Sequence, residues 1–382
     1  NLLEDYQAAA DHFLRIKRLA PTSAIRSSAE YDAAAALMKL EDWTNASDVL
    51  EEFRASHPEH ELNREATKQL AHIYREDGQT ERSAAEHERI AAEATDPELA
   101  REALLTAGEL YDEVNVIDDA VRVYEDYVIL YPRPLDLMME TRTRLAEIYK
   151  SQSDYARYYD ALQLIVDEDN ASGAERTDRS RYLASQAALV LAERSYQRFA
   201  ELELTLPFED SLAEKQRRMD DAMAVLEKLV DYQVADVTAA ATYYIAEVYL
   251  NFSRSLMASE RPEGLSDAEK FDYEMILEEE AWPFEERAIE VHEENFELLR
   301  AGVFNPWVED SLGQLTELMP GRYAKNEISG GFLATLDLYA YRMPNAPPIG
   351  AEGPLDAAVQ DEPADPAEAT TRVPSAMATE SN

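Results

Sequence analysis

The sequence predicts an all-α superhelix of stacked helical hairpins, and three observations carry that expectation. Small residues at Ala34, Ala71, Gly108 and Ala146 recur 37, 37 and 38 positions apart, a period that suits a row of similar hairpins and no single-core fold. One apolar stripe repeats its spacings of 3, 4, 3 and 5: Tyr6, Ala9, Phe13, Ile16, Pro21, then Trp43, Ala46, Leu50, Phe53, Pro58, then Ile117, Ala120, Tyr124, Tyr127, Pro132. Each set lies on one face of a helix that proline ends. Only 11 glycines in 382 residues, with 46% hydrophobic residues, favour helices over a turn-rich β architecture.

The opening stripe reads as the second helix of a hairpin already under way at Asn1. Upstream sequence, and with it any export signal, is therefore expected to be missing. First helices follow with a small residue three positions before a large one, at Ala34/Leu37, Ala71/Tyr74, Gly108/Tyr111 and Ala146/Tyr149. Small residues let two helix backbones approach, and large ones fill the groove beside them. The second repeat, Arg64 to about Asp96, is weaker, with Thr80, Ser83 and His87 on its stripe. The fourth carries Leu145, Ala146, Tyr149, Tyr155, Leu162 and Ile165. Tyr74, Tyr111, Tyr124, Tyr127, Tyr149 and Tyr155 are expected in the core rather than at a ligand.

Beyond residue 170 the pattern loosens. Asp167 to Gly173 is expected as a loop, followed by one long helix from Asp178 to about Glu203. Pro207 interrupts, and Leu212 to Tyr232 resumes the stripe with Ala222, Leu226 and Leu229. A fresh first helix holds Ile245, Ala246 and Tyr249, about 100 residues after Ala146 where two regular steps need about 75. Asp267–Arg300 is a long second helix that Trp282-Pro283 should kink. Trp307, Leu312, Leu315 and Leu318 then form a capping helix before Pro320-Gly321. From Met343 onward the composition changes, with seven of the chain's 17 prolines in the last 40 residues, and disorder is expected. The division is thus 1–170 regular repeats, 171–342 enlarged hairpins and cap, and 343–382 a disordered acidic tail.

These residues resemble the tetratricopeptide repeat (TPR) family. Its pattern of small, Tyr, Gly or Asn, aromatic, Ala, large, large and Pro is met most fully by Gly108, Tyr111, Asn115, Ile117, Ala120, Tyr124, Tyr127 and Pro132. The resemblance implies a right-handed superhelix without catalytic activity and a concave groove lined by four positions of each first helix. In that register the groove takes Ser28, Tyr31, Ala35 and Met38, then Glu65, Lys68, His72 and Arg75. Glu102, Leu105, Glu109 and Asp112 follow, then Glu140, Thr143, Glu147 and Lys150, with Tyr243 further on. Tyr31 and Met38 would anchor a protein segment, and the acids would attract its Lys or Arg side chains. The competing expectation is that facing groove charges merely neutralise each other. The family's clamp for a C-terminal carboxylate looks absent, since only Lys68 and Arg75 are basic there. A likeness to TPR proteins of Gram-negative envelope machines extends the expectation to a bacterial envelope complex and a periplasmic location.

Composition narrows the partners. With 78 Asp+Glu against 36 Lys+Arg the formal net charge is −42, which repels phosphate backbones and anionic headgroups, so neither nucleic acid nor direct membrane insertion is expected. No apolar run is long enough to span a bilayer. The chain has no cysteine, hence no disulfide, Cys-ligated metal or thiol nucleophile. His57 and His60 crowd one turn, but no metal-binding sequence surrounds them, and the acidic stretch from Asp167 fails a calcium loop at Ala171 and Ser172. No nucleophile elbow, phosphate loop or dinucleotide pattern occurs, and no cofactor is expected. The alternatives to a protein-binding scaffold are a structural spacer or self-assembly module, and an enzyme built into residues 178–342.

Overall fold

The computed structural model describes residues 2–20, 22–300 and 302–324, within a unit formed by residues 1–325. The expected disordered tail at 343–382, and the end of the enlarged segment at 325–342, lie outside the described residues. Every regular element among the described residues is helical. Helix α1 (Leu2–Leu19) precedes four regular hairpins: α2 (Arg26–Lys39) with α3 (Trp43–Ser56), α4 (Asn63–Glu76) with α5 (Thr80–Glu93), α6 (Pro97–Glu113) with α7 (Ile117–Leu130), and α8 (Leu135–Ser151) with α9 (Tyr155–Ala171). Two larger hairpins follow, α10 (Asp178–Ala200) with α11 (Phe208–Leu229) and α12 (Ala235–Ala258) with α13 (Asp267–Arg300), then α14 (Pro306–Leu318) and the single turn α15 (Pro320–Tyr323). The chain is thus an all-α stack of TPR-like hairpins with an irregular C-terminal half.

The repeat is visible in the backbone itself. Each regular hairpin turns through one left-handed residue, Glu41 (φ 58°), Gly78 (φ 73°), Asn115 (φ 60°) and Ser153 (φ 61°). The next residue's N–H returns to the carbonyl of Leu37, Tyr74, Tyr111 or Tyr149 at 2.8 to 3.0 Å. This is the six-to-one closure that ends a helix after a left-handed residue, and it recurs with the period of the small residues. Gly108 shows why those residues are small. A Cβ there would stand 2.6 Å from the Tyr124 ring on α7, well inside contact distance for a side chain that is itself buried.

Neighbouring hairpins are joined by a second repeating device. The hydroxyls of Tyr74, Tyr111 and Tyr149 donate to Glu51, Glu88 (2.9 Å) and Glu125 (2.7 Å) of the preceding second helix. Arg82 and Arg157 lie over the Tyr74 and Tyr149 rings, and Arg122 pairs with Glu88 at 2.7 Å. Burial and the adjoining glutamate raise all three phenols, Tyr149 to about 12.

The weak second repeat leaves a mark. One cluster of buried apolar residues runs from Ala10 to Tyr74 and another from Ala84 to Ala281, and Ala71, Ile90 and Ala103 form a separate small cluster between them. On α5 the core positions include Thr80 and Ser83, whose Oγ donates to the Ala71 carbonyl at 2.7 Å. In the same register half-buried His87 and buried Ile90 stand where α7 carries Tyr124 and Tyr127, so α5 supplies less bulk to the core.

Two expectations are corrected here. The stretch from Asp167 is not a loop, since α9 runs to Ala171. Asp169 is buried and accepts from Arg176 Nε (3.0 Å) and Ser180 Oγ (3.1 Å), so tertiary bonds hold the helix where local propensity argued against it. Tyr155 is 54% exposed rather than in the core, as the first residue of α9 after the Asp154 cap. Helix α13 runs from Asp267 to Arg300 with Pro283 inside it, as one long second helix.

α13 carries two apolar faces. Leu277, Ala281, Ala288, Val291 and Asn295 point inward and are buried. On the opposite side Phe271, Met275 and Trp282 are 67%, 53% and 60% exposed, spaced four and seven apart and flanked by Glu274, Glu278 and Glu279.

Candidate functional site

Eight of the expected groove positions, Lys68, His72, Arg75, Glu102, Leu105, Glu109, Asp112 and Glu140, line two clefts along the first helices. One, of about 400 Å3, lies between the α4 and α6 hairpins, where Lys68, His72 and Arg75 face Glu102, with half-buried His87 beneath. Desolvation lowers the His87 imidazole below its ordinary range. The other, of about 450 Å3, lies between α6 and α8 and has Leu105, Tyr124 and Leu137 for walls. Glu109, Asp112, Glu113 and Glu140 line it against a single cation, Arg144.

Several of these charges already have partners. Arg144 Nε lies 2.6 Å from Asp112 and its Nη1 2.8 Å from Glu147, while Arg179 holds Glu140 at 2.8 Å. Arg75 pairs with Glu113 at 2.8 Å and Lys68 with Glu65 at 3.6 Å. These pairs are largely exposed, so each contributes about 0–1 kcal/mol. Glu102 and Glu109 hold no ion pair among the described residues, and desolvation raises the Glu109 carboxyl above its ordinary range. Tyr31 is half-buried, accepts from Gln69 Nε2 and tilts against Phe53, and Met38 packs on the same core cluster. Both anchors are therefore partly engaged within the protein. Tyr243 does not stand in an open groove. Its ring packs 5.6 Å from Trp307 of α14 and 5.7 Å from His292, and burial pushes its hydroxyl up to about 12.

His292 belongs to no sequence motif, and the structure places it in a serine–histidine–glutamate arrangement. Its Nδ1 lies 3.2 Å from Ser311 Oγ and its Nε2 3.5 Å from Glu247 Oε1. A nucleophile must meet a substrate, yet Ser311 and His292 are fully buried. Asn295 also donates to Ser311 Oγ (2.8 Å) and to the carbonyls of Ala239 and Trp307. The cluster is a latch joining α12, α13 and α14. Its members are far apart in sequence and follow no spacing rule, so nothing local could have revealed it.

No protein-family model and no curated protein matches this chain. Among solved structures, a tetratricopeptide repeat protein from Parabacteroides merdae is 13% identical, over 76% of this chain and 98% of that one, with a TM-score of 0.28. BtubC from P. vanneervenii is 14% identical over 69% and 94%, with a TM-score of 0.27. Naa15/Naa10 bound to HypK-THB gives 15% over 88% and 58%, with a TM-score of 0.30. At such scores these likenesses carry no argument, and the repeat architecture stands on the chain's own period, turns and helix order.

The turn histidines are tied in rather than left in solvent. His57 Nε2 lies 3.2 Å from the buried Glu30 carboxylate, and the Leu62 N–H donates to His60 Nδ1 at 3.2 Å. No group of three or more His, Asp or Glu suited to a metal occurs among the described residues, and no described helix is long and apolar enough to cross a membrane.

Proposed function

We propose that this chain is a non-catalytic protein-interaction scaffold that holds a basic protein segment along its first helices. The observation that supports this most is the cleft between α6 and α8, where apolar walls stand beside four acids and one arginine. Leu105 and Leu137 offer contact to an aliphatic stem, and Glu109, unpaired and partly desolvated, gains most from an arriving cation. Glu102 in the adjoining cleft extends the path. The reading carries with it the bacterial envelope complex and periplasmic setting that the TPR resemblance implies.

The test uses a fluorescent peptide of alternating lysine and leucine. Glu102→Lys/Glu109→Lys should weaken its binding at least about tenfold with unchanged circular dichroism, whereas Glu278→Lys/Glu279→Lys on α13 should leave it intact. Equal affinity of wild type and the cleft variant would overturn the proposal.

A further inference from the structure

A third cavity, of about 750 Å3, opens between α9, α10 and α11. Its volume suits a small organic ligand, and its floor is apolar, built from Val166, Leu191, Val225 and Leu229. Four cations line it: Arg176, Arg194, Arg198 and Lys228. That concentration is notable in a chain where acids outnumber bases 78 to 36.

Most of the protein's arginines are matched by a carboxylate. Arg176 follows that habit, lying 2.6 Å from Asp169. The other three do not. Arg194 stacks 3.7 Å above the Tyr159 ring, and no carboxylate among the described residues pairs with Arg194, Arg198 or Lys228. Two acids do line the cavity, Asp167, which accepts from Gln163 at 2.9 Å, and Asp231, and neither pairs with these cations. Arg194 and Arg198 also stand four apart on one helix face, where like charges repel. Arg198 and Lys228 each occupy the last turn of their helix, where a cation offsets the C-terminal end of the dipole. That role requires neither convergence on one cavity nor an apolar floor.

We infer that this cavity binds a small amphiphilic anion, its apolar body on the Leu191–Val225 floor and its acidic head between Arg194, Arg198 and Lys228. The head is a carboxylate or a phosphate ester, both of which these donors satisfy.

Dye binding to the full chain tests this, with anionic 1-anilinonaphthalene-8-sulfonate against neutral N-phenyl-1-naphthylamine. Arg198→Glu/Lys228→Glu should lower affinity for the anionic dye at least about tenfold and leave the neutral dye unchanged. Octanoate or octyl phosphate should displace the anionic dye, and whichever competes better identifies the head group. Should the double reversal unfold the chain, Arg198→Gln/Lys228→Gln serves with a smaller loss. Three results overturn the inference: unchanged dye affinity in a variant of lowered melting temperature, which leaves only a helix-end role; loss of binding in Trp282→Ala instead, which puts the dye on α13; and displacement by neither competitor.

Discussion

Glu41, Asn115 and Ser153 adopt a left-handed backbone that glycine accepts freely and other residues accept at a cost of roughly 1–2 kcal/mol. The fold imposes it because each hairpin closes through the same turn, and Gly78 is the one glycine among the four. Ser153→Gly should therefore stabilise the chain by up to about 1 kcal/mol, read as an increased urea midpoint. A decrease would show that the Ser153 side chain supplies something the turn needs. Lys215 poses the opposite problem. Fully buried on α11, its ammonium donates to the carbonyls of Phe199 (3.1 Å) and Leu202 (2.8 Å) and to Asn251 Oδ1 (2.8 Å). Desolvation, with help from Arg218, lowers it from 10.5 to about 8. Between those two values the unfolded chain holds more protons than the folded one, so stability rises with pH. Wild type should accordingly strengthen from pH 8 towards 10 relative to Lys215→Met in urea titrations. Parallel profiles would mean that its three acceptors keep the ammonium charged throughout.

At the scale of elements, the repeat was readable because packing demands recur with it. Ala34, Ala71, Gly108 and Ala146 mark close approaches that any helical hairpin of this kind requires, and at Gly108 even a Cβ would run into the Tyr124 ring. The tyrosine–glutamate bonds between hairpins were hidden, although their sequence separations of 23, 23 and 24 keep the same period. An apolar stripe runs along one helix, whereas these bonds cross between two. Elements without a repeated partner were harder still. The end of α9 was misjudged because Asp169 is held by Arg176 and Ser180 from beyond the helix. The thinness of α5 was legible in Thr80, Ser83 and His87, and it has a dynamic consequence. Amides of α5 should exchange with solvent at least about tenfold faster than those of α7, since fewer apolar contacts resist local opening. Equal protection would make the stack one cooperative unit.

Across the whole molecule, charge and shape were partly separable from sequence. The expected tail, residues 343–382, contains seven acids and one arginine, leaving a net −36 on residues 1–342. Part of that acidity has internal work, as Glu51, Glu88 and Glu125 accept hydrogen bonds from tyrosine hydroxyls and Asp112, Glu140 and Glu147 pair with arginines. The groove register located Lys68, His72, Arg75, Glu102, Glu109, Asp112 and Glu140 along two clefts, because first-helix positions follow directly from the period. It misplaced Tyr243, because α14 closes over that end of the stack and a cap follows no repeat. The cavity between α9, α10 and α11 was equally out of reach, since it arises where a regular hairpin meets an enlarged one.

The outward face of α13 bears on how the protein behaves as a colloid. Near neutral pH every copy carries the same large negative charge, and mutual repulsion keeps Phe271, Met275 and Trp282 of different copies apart. That protection vanishes near the isoelectric point of about 4.4. Acidification towards that value should bring reversible clustering through α13, seen as increased light scattering with a blue shift of tryptophan emission. Phe271→Ser/Trp282→Ser should remain dispersed over the same range, and clustering of that variant at the same pH would place the contact elsewhere.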